Sequence, residues 1–125
     1  MKYYLSLGSN INSEFNLELA ISSLSSLFTQ IEYSSIYKTQ AEGFDGQDLL
    51  NLVFCGTSSL SFESLNQKLK AIEDDAGRDR KAPKFSSRTL DIDIVLQLSD
   101  EEEILFESDE IVKYRFVSEP LEELL

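Results

Sequence analysis

Residues 77 to 96 read Gly77-Arg78-Asp79-Arg80-Lys81-Ala82-Pro83-Lys84-Phe85-Ser86-Ser87-Arg88-Thr89-Leu90-Asp91-Ile92-Asp93-Ile94-Val95-Leu96. Gly77 closes a helical pattern as a C′ glycine does, and Thr89 to Leu98 opens a strand, so this stretch sets the last helix-to-strand step of the chain. On a strand, residues i and i+2 share a face. Asp91 and Asp93 are therefore expected side by side, about 7 Å apart, with Leu90, Ile92 and Ile94 facing the other way. Adjacent carboxylates repel unless a cation lies between them, and hard oxygen ligands with open water positions suit Mg²⁺ holding phosphates. Arg78, Arg80 and Arg88 add the planar fork that phosphate oxygens accept.

Upstream, the hydrophobic period alternates. Lys2 to Leu7 reads as a strand ended by the turn residues Gly8-Ser9-Asn10. Asn12 or Ser13 can cap a helix whose apolar positions Leu17, Ala20, Ile21, Leu24, Leu27 and Phe28 run to about residue 28. Ile31 to Thr39 and Leu49 to Leu60 are β-like, separated by a loop holding Gly43, Asp45 and Gly46. Ser61 caps a second helix with Phe62, Leu65, Leu69, Ile72 and Ala76 on one face. The order β-α-β-β-α-β predicts a ferredoxin-like α+β sandwich, an antiparallel sheet with both helices on one face. A single domain over 1–125 is expected, with a core over 1–98. The remaining 99–125 form an acidic loop around a short Ile104 to Phe106 strand and a C-terminal extension, in which Ser118 to Leu125 is helical with Pro120 in its first turn.

Charge narrows the partners. The chain carries 23 acidic and 11 basic residues, a net charge of −12. Seven of the 11 cations lie between Lys68 and Arg88 against four acids, so that window is +3 and the rest −15. A focused positive site in an acidic envelope suits a small phosphorylated molecule and argues against extended nucleic acid. No run of 18 apolar residues and no leader pattern appear, so no membrane partner is expected and a cytoplasmic protein is, as a monomer or weak homo-oligomer. Histidine is absent, which removes the commonest general base and zinc ligand. Cys55, in an apolar run, reads as a core thiol, and Tyr3, Tyr4, Tyr33 and Tyr37 read as sheet packing. Glu73 is balanced between an exposed helix acid and a member of the site.

These residues carry a resemblance. Leu5-Ser6-Leu7-Gly8-Ser9-Asn10, Ile36-Tyr37-Lys38-Thr39, Leu50-Asn51, and Gly77-Arg78 through Arg88-Thr89-Leu90-Asp91-Ile92-Asp93-Ile94 resemble, in order, the 6-hydroxymethyl-7,8-dihydropterin pyrophosphokinase family. The resemblance implies transfer of pyrophosphate from ATP to a pterin, releasing AMP, with two Mg²⁺ ions held by Asp91 and Asp93. It implies that Arg78, Arg80 and Arg88 line the phosphate path, that Lys70, Glu73, Ile94 and Arg115 lie near ATP, and that Thr39, Asn51, Phe85 and Phe116 lie around the pterin. Departures from the family pattern are Gln40 and Glu42 after the threonine, Leu49 at an often aromatic position and Phe85 for the usual tryptophan. Ser108 and Asp109 stand where the family has a histidine-containing segment. Two function classes follow: the pyrophosphokinase itself, or a divergent relative with lost or altered activity that binds nucleotide or a protein, or uses another acceptor.

Overall fold

The structure is a computed structural model and describes residues 1–39, 48–77 and 90–125. Within these, β1 (Lys2–Ser9) is followed by α1 (Ser13–Leu24), β2 (Thr29–Tyr33), β3 (Tyr37–Thr39), β4 (Leu49–Thr57), α2 (Phe62–Asp75) and β5 (Asp91–Leu98). β6 (Ile104–Glu107), α3 (Glu110–Lys113) and α4 (Arg115–Leu124) complete the order. The sheet runs β2-β4-β1-β5-β6 with β3 also paired to β4, and every pairing is antiparallel. This is the expected ferredoxin-like arrangement, with a further strand on its β5 edge.

Alternation on the central strands sorts the core into two halves. Tyr3, Leu5, Leu7, Leu52, Phe54, Ile92 and Ile94 face α1 and α2, packing on Leu17, Ala20, Leu24, Leu65 and Leu69. Tyr4, Val53, Cys55, Val95 and Leu96 face the opposite way and are covered by Val117 and Leu121 of α4. The C-terminal segment is thus the second cover of the sheet, where the sequence reading had a short extension. Its helix starts at Arg115 rather than Ser118, because Val117, Pro120, Leu121 and Leu124 form one helical stripe toward the sheet, and Pro120 lies in the middle of the helix instead of its first turn.

Other boundaries differ for identifiable reasons. α1 stops at Leu24, short of residue 28, where serine hydroxyls turn back onto the backbone: Ser25 Oγ donates to Ile21 O at 2.7 Å and Ser26 Oγ to Ser23 O at 2.9 Å. Phe28 still reaches the core from the turn, edge-on to Tyr3 and Phe54. At the other end Asn12 occupies the cap position with φ 45° and no side-chain cap bond; Ser13 Oγ instead donates to Ser9 O and Asn16 Nδ2 to Ile11 O. The expected Ile31–Thr39 strand is two strands, parted at Ser34. There the backbone N–H donates to Val53 O and the hydroxyl accepts from Val53 N–H. β4 ends at Thr57 and β5 begins at Asp91. Ser61 caps α2 as expected, accepting from Ser64 N–H, and Gly77 takes φ 88° just beyond it.

One buried carboxylate joins α2 to β5. Glu73 is fully buried, and its Oε2 accepts the backbone N–H of Ile92 at 2.7 Å, on the edge of β5 that β6 leaves uncovered because it pairs only with residues 96–98. Lys70, one turn earlier, donates to Ile92 O and to Glu73 Oε2, both at 3.4 Å. Helix side chains thereby satisfy both polar groups of an edge residue. Glu73 is a core group and not the exposed helix acid that was one of its two readings.

Two stability outcomes follow. Glu73→Ala leaves the Ile92 amide without its acceptor and should cost about 2–4 kcal/mol, with Glu73→Gln costing less because an amide oxygen can still accept. Equal losses in urea unfolding for the two variants would contradict this. A Cβ at Gly56 would stand 2.8 Å from Phe28 Cβ, so Gly56→Ala should lower the urea midpoint by the equivalent of about 1–3 kcal/mol with unchanged slope. A wild-type midpoint would show that Phe28 moves freely.

Candidate functional site

The sheet face that α4 covers is not apolar throughout. Antiparallel register places Asn51 opposite Gly8 and Gly8 opposite Asp91, and in the next row Val53 opposite Ser6 and Ser6 opposite Asp93. Beyond them a bulge in β5 lets Val95 and Leu96 both turn toward α4, so that Gln97 turns back and its amide donates to Tyr3 Oη. One end of this face is polar and small; the other is apolar and is the part that α4 packs on.

The polar end has a defined floor. Tyr37 pairs with Asn51 and Thr39 with Leu49, so β3 brings Thr39 beside Asn51, and the Thr39 hydroxyl donates to Asn51 Oδ1 at 3.4 Å. Asn51 is buried, and among the described residues none accepts from its Nδ2. A Cβ on Gly8 would meet that Nδ2 at 3.1 Å and Leu49 Cδ1 at 3.5 Å; glycine keeps the space above the strand open. Ser9, which ends β1, and Asn10 just after it are buried at the turn to α1.

The second part lies around the edge of β5. Lys70 Nζ approaches Asp93 Oδ1 at 3.5 Å as well as Glu73, so one ammonium links the buried acid to the half-exposed one. A cavity of about 370 Å³ opens here, lined by Phe62, Asn66 and Lys70 of α2, Asp93 and Ile94 of β5, and Ser108, Asp109 and Glu110. Phe62 forms an aromatic wall, packed edge-on against Phe106 at 4.8 Å. The sequence reading had Lys70, Asp93 and Ile94 but not Phe62 or Asn66, although Phe62, Asn66 and Lys70 recur every four residues on a helix and share a face. Ser6 and Gly8 were equally available as the small positions opposite Leu5 and Leu7.

Asp91 and Asp93 are two adjacent carboxylates on one strand, and among the described residues no group of three or more histidine, cysteine or acidic side chains converges on a cation site. Such a sparse donor set fits Mg²⁺, which keeps waters and takes further ligands from phosphates, better than a closed protein cage. The acidic run 99–110 forms no such cluster among the described residues.

Arg78, Arg80, Phe85 and Arg88 lie outside the described residues, as do Gln40, Glu42, Lys81 and Lys84. Arg115 is exposed at the start of α4. Phe116 stacks on Tyr114 with centroids 4.8 Å apart and packs into the cluster under α4, which accounts for its placement. Cys55 is a free thiol in that same cluster, its pKa pushed up by burial, as a packing residue's would be. Tyr3 and Tyr4 are core residues, whereas Tyr33 is 54% exposed and Tyr37 is hydrogen-bonded to α4. Among the described residues no helix is long and apolar enough to cross a membrane.

Comparison with known proteins agrees with this arrangement. Residues 4–125 match the family model described as 7,8-dihydro-6-hydroxymethylpterin-pyrophosphokinase. The chain is also 31% identical over 119 residues to the 2-amino-4-hydroxy-6-hydroxymethyldihydropteridine pyrophosphokinase of Aquifex aeolicus, covering 94% of this chain and 68% of that protein. With the family match running through both core halves and α4, the chain belongs to the 7,8-dihydro-6-hydroxymethylpterin-pyrophosphokinase family.

Proposed function

We propose that this chain transfers the pyrophosphoryl group of ATP to 6-hydroxymethyl-7,8-dihydropterin in folate biosynthesis, releasing AMP, and that it does so as one domain over 1–125. The observation that carries the reading is the polar row across the sheet, in which Asn51 and Asp91 flank Gly8 on the same face. An acceptor held over Gly8 lies next to the carboxylates that would hold the phosphates.

Each residue has a distinct task. The Asn51 amide, its oxygen engaged by Thr39, offers donors to the acceptors of a pterin ring, and Phe85 and Phe116 are assigned to its faces. The cavity beside Phe62, Lys70 and Ile94 takes the nucleotide, with Glu73 fixing Lys70, and Arg115 is assigned to the same ligand. Asp91 and Asp93 would hold two Mg²⁺ ions, whose charge offsets that of the triphosphate when bound. Arg78, Arg80 and Arg88 are assigned to the phosphate path. The pterin hydroxymethyl oxygen attacks the β-phosphorus, the bond from that phosphorus to the α–β bridging oxygen breaks, and AMP leaves with that oxygen. The protein's share is positioning and charge neutralisation, as in other phosphoryl-type transfers.

A second reading, nucleotide binding without this transfer, draws on Ser108 and Asp109, which put a carboxylate in the cavity wall at the position of the family's histidine segment. One assay separates the two. With ATP, Mg²⁺ and 6-hydroxymethyl-7,8-dihydropterin the purified chain should release AMP; nucleotide binding without AMP release at millimolar ATP would favour the second reading. Asp93→Ala should abolish Mg²⁺-dependent nucleotide binding in calorimetry and lower turnover by roughly 100-fold or more. Unchanged binding in a folded variant would remove Asp93 from the metal site.

A further inference from the structure

The acceptor side of the polar row depends on β3, whose described residues Tyr37–Thr39 pair with β4. Its exposed ion pair, Lys38 Nζ to Asp48 Oδ2 at 3.3 Å, contributes little in solvent. A further tie on the segment comes from the opposite end of the chain. Glu123, near the C-terminus of α4, accepts from Ser35 N–H at 2.9 Å through Oε1. Its Oε2 accepts from the Ser35 hydroxyl at 2.9 Å and from the Tyr37 hydroxyl at 2.7 Å. Three neutral donors on one carboxylate are charge-assisted bonds, and they hold the Glu123 carboxyl below its usual pKa, the Tyr37 hydroxyl first among the causes.

The geometry leads from there to the site. Tyr37 is the residue of β3 in register with Asn51, and Thr39, two residues on and on the same face, is the one whose hydroxyl meets Asn51 Oδ1. We infer that Glu123 is a positioning residue for the acceptor site: by fixing Ser35 and Tyr37 it sets where β3 presents Thr39 to Asn51, without itself touching substrate. The inference rests on the acceptor reading proposed above. It adds to that reading a specific link from the C-terminal helix to one substrate and not the other. The nucleotide cavity is lined by α2, β5 and residues 108–110, to none of which Glu123 is hydrogen-bonded among the described residues.

Glu123→Gln, Tyr37→Phe and the double variant test it. Each single change should raise the acceptor KM, and the acceptor Kd in calorimetry, roughly five- to tenfold, the effect of losing one solvent-exposed hydrogen bond. The KM for ATP and kcat should stay within about twofold, and the double variant should do little more than the worse single, since both changes cut one contact. Amide hydrogen exchange should quicken at residues 37–39 and stay unchanged in α2. Equal losses for both substrates, or wild-type acceptor constants, would overturn the positioning role. Should the wild-type chain show no acceptor affinity at all, the proposed function fails; unchanged exchange at β3 in Glu123→Gln would overturn this inference alone.

Discussion

The bond from the Ile92 amide to the buried Glu73 carboxylate is the contact on which the site depends. A carboxylate without solvent is tolerated only when it is hydrogen-bonded, and here the backbone amide and the Lys70 ammonium both meet its Oε2. The consequence is geometric. Ile92 lies between Asp91 and Asp93 in sequence, so the group that ties α2 to the edge of β5 also fixes the backbone from which both carboxylates project. The same helix brings Phe62, Asn66 and Lys70 to the cavity, so strand edge, ion pair and cavity wall share one origin.

A second constraint is the division of the sheet face. α4 needs apolar residues to pack on and finds them in Tyr4, Val53, Cys55, Val95 and Leu96. The next residues along the same strands, Ser6, Gly8, Asn51, Asp91 and Asp93, offer nothing to an apolar helix stripe. Burying those carboxylates under Val117 and Leu121 would cost several kcal/mol each. Polarity therefore limits how far the cover extends.

Much of this was legible in the sequence where a period was long and undisturbed. The β-α-β-β-α-β order, the Ser61 cap, the Gly77 stop and the opposed faces of Asp91 and Ile92 followed from alternation and helical spacing alone. What was not legible involved partners distant in sequence. Ser34 divides a continuous apolar-polar pattern because it exchanges two bonds with Val53, 19 residues away. Glu73 reads as any helix acid until β5 is set beside it. The C-terminal helix was placed three residues late because Pro120 signals a first turn locally, while the stripe from Val117 to Leu124 has meaning only against the second face of the sheet.

Charge supplies the last step. Among the described residues the cavity wall carries carboxylates from Asp93, Asp109 and Glu110 and an ammonium from Lys70. Asp109 is paired to Lys113 at 2.8 Å and Asp93 to Lys70 at 3.5 Å, so cations stand beside both carboxylates. The only cation-rich part of the sequence is the window from Lys68 to Arg88, whose C-terminal end leads directly into Asp91. A divalent cation at the aspartates and arginines from that window would together reverse the sign of the cavity. The acidic composition of the chain is therefore compatible with the phosphorylated ligand proposed above, because its positive charge is concentrated in one window.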